Sequence, residues 1–211
     1  MKITKREHAC LVLEEAGDTL IVDPGSFTSP LSGITGVSAI VITHEHADHV
    51  SPEQLDMLFT ANPDARIYAP AGVAAAHPTY PVSVVSAGET VTIGQFTVAF
   101  FGGTHAQIHS SIPLIDNLGI LVNDTLYYPG DSFTVPAVAV NTLAVPAGAP
   151  WLKISEVMDF VLEVAPARTF PTHEMVLSPA GKSLSNARID WATQRGGGQF
   201  FALEPGDSLE L

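Results

Sequence analysis

Thr43-His44-Glu45-His46-Ala47-Asp48-His49 packs four potential metal ligands, His44, His46, Asp48 and His49, into six residues. The segment directly follows Val37–Thr43, an almost unbroken apolar and β-branched run that suits a strand buried on both faces. In an extended segment, residues two apart point the same way. His44 and His46 can therefore face one metal ion, while Asp48 and His49, past a bend, face a second point nearby. Imidazole and carboxylate are ligand types that Zn²⁺ or Mn²⁺ accepts. Glu45 points away from both histidines and is left out of the set. The competing reading is a solvated loop that happens to be rich in histidine, which this spacing disfavours.

Working outward, two short apolar runs, Cys10–Leu13 and Thr19–Val22, flank a polar turn at Gly17-Asp18 and read as a hairpin that ends at Asp23-Pro24-Gly25. Beyond the histidine segment, Ser51-Pro52-Glu53-Gln54 is a helix start with Ser at the N-cap and Pro at the first helical position. Arg66–Ala69, Val82–Val85, Thr90–Ile93, Gln95–Phe101, Leu118–Val122, Thr125–Tyr128, Asn141–Val145 and Arg168–Phe170 read as strands, with a short helix over Gly72–Ala76. Ile154, Val157, Met158, Val161 and Leu162 fall on one helical face. Ser178-Pro179 opens a last helix to about Gln194, and Gln199–Leu203 and Ser208–Leu211 close the chain as strands. Many strands with a few helices between them predict sheets covered by helices.

The chain has 211 residues, of which 46% are hydrophobic and 15% charged. A disordered chain, a coiled coil and a collagen are excluded, and residues 1–211 are expected to form a single domain. Nine Lys and Arg against 22 Asp and Glu give a net charge of −13. Such a surface repels phosphate backbones and anionic lipid heads, so no nucleic acid and no membrane partner is expected. One cysteine, Cys10, excludes an internal disulfide. With no apolar export segment and no apolar stretch of about 18 residues, the expected compartment is the cytoplasm.

His-x-His-x-Asp-His resembles the signature of the metallo-β-lactamase-fold superfamily, and other segments follow that family's order. Asp23 resembles its early aspartate, which braces the metal loop. His105 in Gly-Gly-Thr-His resembles the third histidine of the first metal site, Asp131 in Pro-Gly-Asp-Ser the bridging carboxylate, and His173 in Pro-Thr-His-Glu the last histidine of the second site. The stretches Gly103–His109, Pro129–Ser132 and Ala149–Trp151 are most similar to the small bacterial hydrolases related to L-ascorbate-6-phosphate lactonase. The resemblance implies an α/β fold of the α+β kind, a four-layer αββα sandwich with metals at one edge. It assigns His44, His46 and His105 to one metal and Asp48, His49 and His173 to a second, with Asp131 between them.

What this implies chemically is a metal-dependent hydrolase, with two Zn²⁺ ions, or Mn²⁺, and a metal-bound hydroxide as nucleophile. Asp48 and Asp131 are the catalytic carboxylates. Asp48 passes the proton to the leaving group and Asp131 bridges. His8 and His109 are candidates for substrate binding or proton transfer, and Asp23 for bracing. The partner is a small-molecule ester, lactone or phosphoester, and a homo-oligomer is left open. A secreted β-lactamase, a basic RNA nuclease and a thioesterase with an added helical domain all fit poorly. So does a di-iron relative, which typically carries Glu where His46 stands. The alternative from another class is a non-catalytic metal-binding or regulatory protein that retains the fold.

Overall fold

The computed structural model describes residues Met1–Leu211. Fourteen strands form two mixed seven-stranded sheets. In the first, β1 (Lys2–Lys5), β2 (Leu11–Glu15) and β3 (Asp18–Val22) run antiparallel. Parallel to β3 lie β4 (Val37–Val41), β5 (Arg66–Ala69) and β6 (Val82–Val84). The second sheet has the same plan. β7 (Thr90–Ile93), β8 (Phe96–Gly102), β9 (Leu118–Val122) and β10 (Leu126–Tyr128) are antiparallel, and β11 (Thr142–Pro146), β12 (Arg168–Thr172) and β13 (Gln199–Phe200) continue parallel to β10. The last strand, β14 (Ser208–Glu210), crosses back to pair with β1 at the edge of the first sheet.

Strand periodicity sorts the apolar residues into three cores. Leu11, Leu13, Leu20, Val22, Ala39 and Val41 point between the sheets and meet Phe96, Val98, Phe100, Ile120, Val122 and Phe170. The alternate residues Val12, Ile21, Ile40 and Ile67 point outward against Leu55 and Leu58 of α1 (Pro52–Ala61) and Val73 of α2 (Ala71–Ala76). On the opposite face Leu121, Tyr127, Leu143 and Val145 meet Val157, Phe160 and Val161 of α3 (Ile154–Val164) and Ile189 and Ala192 of α4 (Pro179–Arg195). Strands apolar on both faces thus produce the expected αββα layering. No helix is long and apolar enough to cross a membrane.

The parallel strands decide where loops can gather. β3, β4, β10, β11 and β12 all end at one edge of the sandwich, and the loops that follow them meet there. Two glycines permit the close approach. A Cβ on Gly25 would stand 1.8 Å from the Asp48 carbonyl oxygen, and one on Gly130 (φ +61°) would stand 2.5 Å from Asn117 Oδ1.

Two elements depart from the sequence reading. β1 carries no recognisable apolar pattern, because the side chain it turns inward beside Ile3 is a lysine. Lys5 is fully buried and ion-paired with Glu174, also buried. The strand expected over Gln199–Leu203 pairs only at Gln199–Phe200 before the chain turns toward β14. Removing one partner of a buried ion pair costs up to about 3–5 kcal/mol, and here Lys182 Nζ, 3.6 Å from Glu174 Oε1, keeps the cost toward the lower end. Lys5→Met should lose stability of that size in urea unfolding. Lys5→Met/Glu174→Gln should regain most of it, since Gln removes the stranded charge.

Candidate metal centre

Asp23 closes β3 in a left-handed conformation (φ +46°), which aims its carboxylate at the start of the histidine loop. Oδ1 accepts the Thr43 N–H at 2.8 Å. Oδ2 accepts the Thr43 hydroxyl at 2.7 Å, His49 Nδ1–H at 2.7 Å and the Tyr128 hydroxyl at 3.0 Å. With its proton given to Asp23, the Thr43 hydroxyl oxygen accepts from His44 Nδ1 at 3.0 Å. His105 Nδ1 is fixed on the Ala106 carbonyl (2.5 Å) and His173 Nδ1 on the Gly148 carbonyl (2.7 Å). Anchoring Nδ1 in this way sets the ring's orientation and turns Nε2 toward the centre, where it can ligate once it carries no proton.

The free atoms converge. His44, His46 and His105 form one group, their rings mutually 4.7–4.9 Å apart at the centroids, with His44 Nε2 facing His46 Nδ1 at 3.1 Å. His8, Asp48, His49 and His173 form a second group, and His44, His49 and Asp131 a third that overlaps both. Within each group the ligand atoms lie within 4.8 Å of one another. Asp131 sits between the sets: Oδ1 is 3.2 Å from His49 Nε2, while Oδ2 is 3.3 Å from His105 Nε2 and 3.2 Å from His173 Nε2. Asp48 Oδ2 is 3.4 Å from His173 Nε2.

These residues fit divalent metal. His49 Nε2, His105 Nε2, His173 Nε2 and Asp131 Oδ1 are buried and make no hydrogen bond. Four buried polar atoms without a hydrogen bond, aimed at one another in a desolvated space, are costly unless protons or a metal cation sit among them. His46 and Asp48 are only partly buried, so the centre opens to solvent on their side.

The electrostatics divide the histidines into two kinds. Burial, reinforced by the neighbouring His49, drives the pKa of His44 well below its ordinary value, and burial with His105 beside it lowers that of His46. Both are neutral at physiological pH. Burial also opposes charge on His49, but Asp131 and Asp23 outweigh it and hold that pKa well above the ordinary value. For His173 the same opposition is overcome by Asp131 and Asp48, which push it up to about 9. Burial works against ionised Asp48 and Asp131 too, but the facing histidines hold both well below the usual carboxylate range. In the metal-free protein, protons on His49 and His173 therefore balance the two carboxylates.

His8 and His109, equal candidates in the sequence, separate here. His8 is fully buried in a left-handed turn (φ +60°), its ring 3.8 Å from that of His173. Its Nδ1 accepts the Met175 N–H at 3.4 Å, so Nε2 carries the proton and donates it to Asp48 Oδ2 at 3.0 Å. His8 thus holds a carboxylate of the centre in place. His109 is exposed, its Nδ1 taken up by Ser111 Oγ (2.8 Å) and Ser111 N–H (3.1 Å), and it belongs to none of the three groups.

Sequence reasoning missed three supports. Tyr128 donates to Asp23 from within an otherwise apolar buried strand. Trp151 Nε1–H donates to Asp131 Oδ2 at 2.8 Å. Asn117 accepts the Asp131 N–H at 2.9 Å and donates to the Pro129 carbonyl at 2.9 Å, shaping the turn that presents Asp131. A polar side chain in a buried apolar context was the available signal for each.

Residues 2–173 match the family described as the Beta-lactamase superfamily domain. Protein Rv0786c of Mycobacterium tuberculosis is 41% identical over 194 residues, covering 90% of this chain and 91% of its own length. Igni18, a metallo hydrolase of the archaeon Ignicoccus hospitalis, superposes with a TM-score of 0.75 at 16% identity over 100% of this chain and 98% of its own. The metallo-beta-lactamase fold protein YhfI of Bacillus subtilis gives 0.75 at 14% identity over 99% and 98%. At these identities the two structures share the fold.

Two outcomes are expected. Asp23→Asn would set an amide N–H₂ against the Thr43 N–H or, turned over, against three donors, and either way removes the charge that holds His49. It should weaken metal binding about 10- to 100-fold in competition with a chromogenic chelator. Loading the metal-free protein at pH 7 should expel about two protons, those on His49 and His173. Calorimetry in buffers of differing ionisation heat measures that number.

Proposed function

The chain belongs to the Beta-lactamase superfamily, and from that premise we propose that it is a metal-dependent hydrolase of a small-molecule ester, lactone or phosphoester. The observation that carries the reading is the set of buried, unpartnered ligand atoms on His49, His105, His173 and Asp131, gathered at a centre open on one side. A structural metal site closes its coordination with protein ligands, whereas a catalytic one keeps a position free.

His44, His46 and His105 would hold one ion and Asp48, His49 and His173 the other, with Asp131 shared. The imidazole-rich donor set favours zinc, with manganese second. Divalent cations bound there supply a Lewis acid for the scissile bond and lower the pKa of water from about 15.7 toward 7. The protein's own part is to position and to move a proton. Thr43, Ala106 and Gly148, together with Asp23, keep four imidazoles in one tautomer. Trp151 and Asn117 hold Asp131. His8 donates to Asp48 Oδ2 and steadies that oxygen on the side of the second ion, which leaves Asp48 Oδ1 to take a proton from the attacking water and hand it to the leaving group. The carboxylate's depressed pKa keeps it ionised, so the proton rests there only in passing.

The substrate reaches the open side as a free small molecule. A net charge of −13 argues against nucleic acid and anionic membranes as partners, and the single, buried Cys10 accords with a cytoplasmic protein.

Elemental analysis of the purified protein should find about two equivalents of zinc or manganese. Hydrolysis of a panel of esters, lactones and phosphodiesters should vanish with a chelator and return with metal. Asp131→Ala should lose metal and cut turnover by at least a hundredfold. Full metal and full activity in that variant would refute the assignment, and a loaded protein inert on the whole panel would favour the non-catalytic reading.

A further inference from the structure

Residues 173–175 follow β12 directly and carry the last histidine of the second group. Each of the three is tied to residues 5–8, where β1 ends. The His173 N–H donates to the His8 carbonyl at 2.8 Å. The Met175 N–H donates to His8 Nδ1 at 3.4 Å. Between them, Glu174 Oε1 accepts from the Lys5 ammonium, both side chains being shut off from solvent. Lys182 Nζ stands 3.6 Å from the same oxygen. Glu174 Oε2 makes no hydrogen bond, so the two ammonium groups alone fix this side chain.

Stability does not account for the pair, since well-packed hydrocarbon in its place would hold a fold at least as well. β1 turns Ile3 and Lys5 inward, so an apolar residue at position 5 would simply extend the core between the sheets. What the lysine adds is reach and direction. It starts in the first sheet and ends on the residue after His173, at the end of a strand of the second. The backbone at both ends needs holding. His8 (φ +60°) and His173 (φ +58°) lie in left-handed conformations, which persist only where the surroundings over-determine them. His44, His46 and His105 make no hydrogen bond to either segment.

We propose that Lys5 and Glu174 are a positioning pair for the second metal ion. Their bond keeps residues 173–175 on the His8 turn. His173 then presents Nε2 to the centre. The Met175 N–H keeps His8 Nδ1 occupied, so that His8 donates from Nε2 to Asp48 Oδ2. Two ligands of the second group, His173 and Asp48, thus depend on a contact that neither of them makes. The assignment rests on the two-ion reading above and deepens it: cutting the pair weakens one ion and spares the other.

The test compares the full chain with Lys5→Met/Glu174→Gln, the variant expected to keep most of its stability. Zinc is titrated into each metal-free protein in competition with a chromogenic chelator. The unchanged chain should show two steps. In the variant one step should weaken about 10- to 100-fold, the range for groups that support a ligand without touching the metal, while the other holds. Hydrogen exchange of the metal-free proteins is the second readout. The His173 and Met175 amides should lose protection in the variant, and amides in the middle of β9 and β11 should keep theirs. Should the double variant fail to fold, Glu174→Gln serves in its place, because it keeps the side chain's shape and gives up the charge. The same step should weaken there, by less. Steps equal to those of the unchanged chain would overturn the assignment, and so would both steps weakened alike, which marks the pair as a contact of the fold only. An unchanged chain that takes up a single zinc rejects the two-ion reading instead. Exchange at His173 and Met175 then decides the pair by itself, unaltered protection overturning it.

Discussion

The Asp23 carboxylate is the interaction on which the rest of the centre depends. Four donors, the Thr43 N–H and hydroxyl, His49 Nδ1–H and the Tyr128 hydroxyl, reach two buried oxygens. A fully buried carboxylate is tolerable only when satisfied to this degree. In satisfying it, the chain fixes the end of β3, the turn out of β4, one histidine of the second group and, through Tyr128, the opposite sheet. The Thr43 hydroxyl relays the constraint one residue further, to His44. A single side chain thus sets the orientation of an imidazole in each candidate metal group.

Around that anchor the two groups are prepared differently. His44 and His46 are neutral and need nothing removed before they can ligate. His49 and His173 are held as cations by the carboxylates they face, so protons fill the electrostatic role of a metal ion. The backbone bears a matching cost. His8, Asp23 and His173 all occupy left-handed conformations unfavourable for residues with a Cβ. All three cluster around the second group, where the positions of a carboxylate and two imidazoles are fixed most tightly.

Much of this was legible in the sequence for a definite reason. The strands are apolar on both faces because the sheets are covered on both faces, and so they stand out as runs. The local motif at 44–49 announces metal by its spacing alone. His105, Asp131 and His173 are unremarkable one at a time and could be placed only through the family resemblance. What stayed hidden is long-range: Tyr128 meets Asp23 across 105 residues, Trp151 meets Asp131, and Lys5 meets Glu174 across 169. Each is a polar atom used inside a residue, or a strand, whose pattern announces something else. For β1 that disguise erased the strand altogether. His8 and His109 differed only in burial, which no local pattern encodes.

The candidate ligands come from both halves of the sandwich. His44, His46, Asp48 and His49 hang from the end of β4, while His105, Asp131 and His173 hang from β8, β10 and β12 of the facing sheet. A cation seated among them would be a cross-link over the seam between the sheets, far apart in sequence and closed by no disulfide. Ions that bind the native seam but not the unfolded chain stabilise the whole sandwich by mass action. The protein's lifetime would then follow the free metal of its surroundings, and a cell short of metal would lose the scaffold along with the activity.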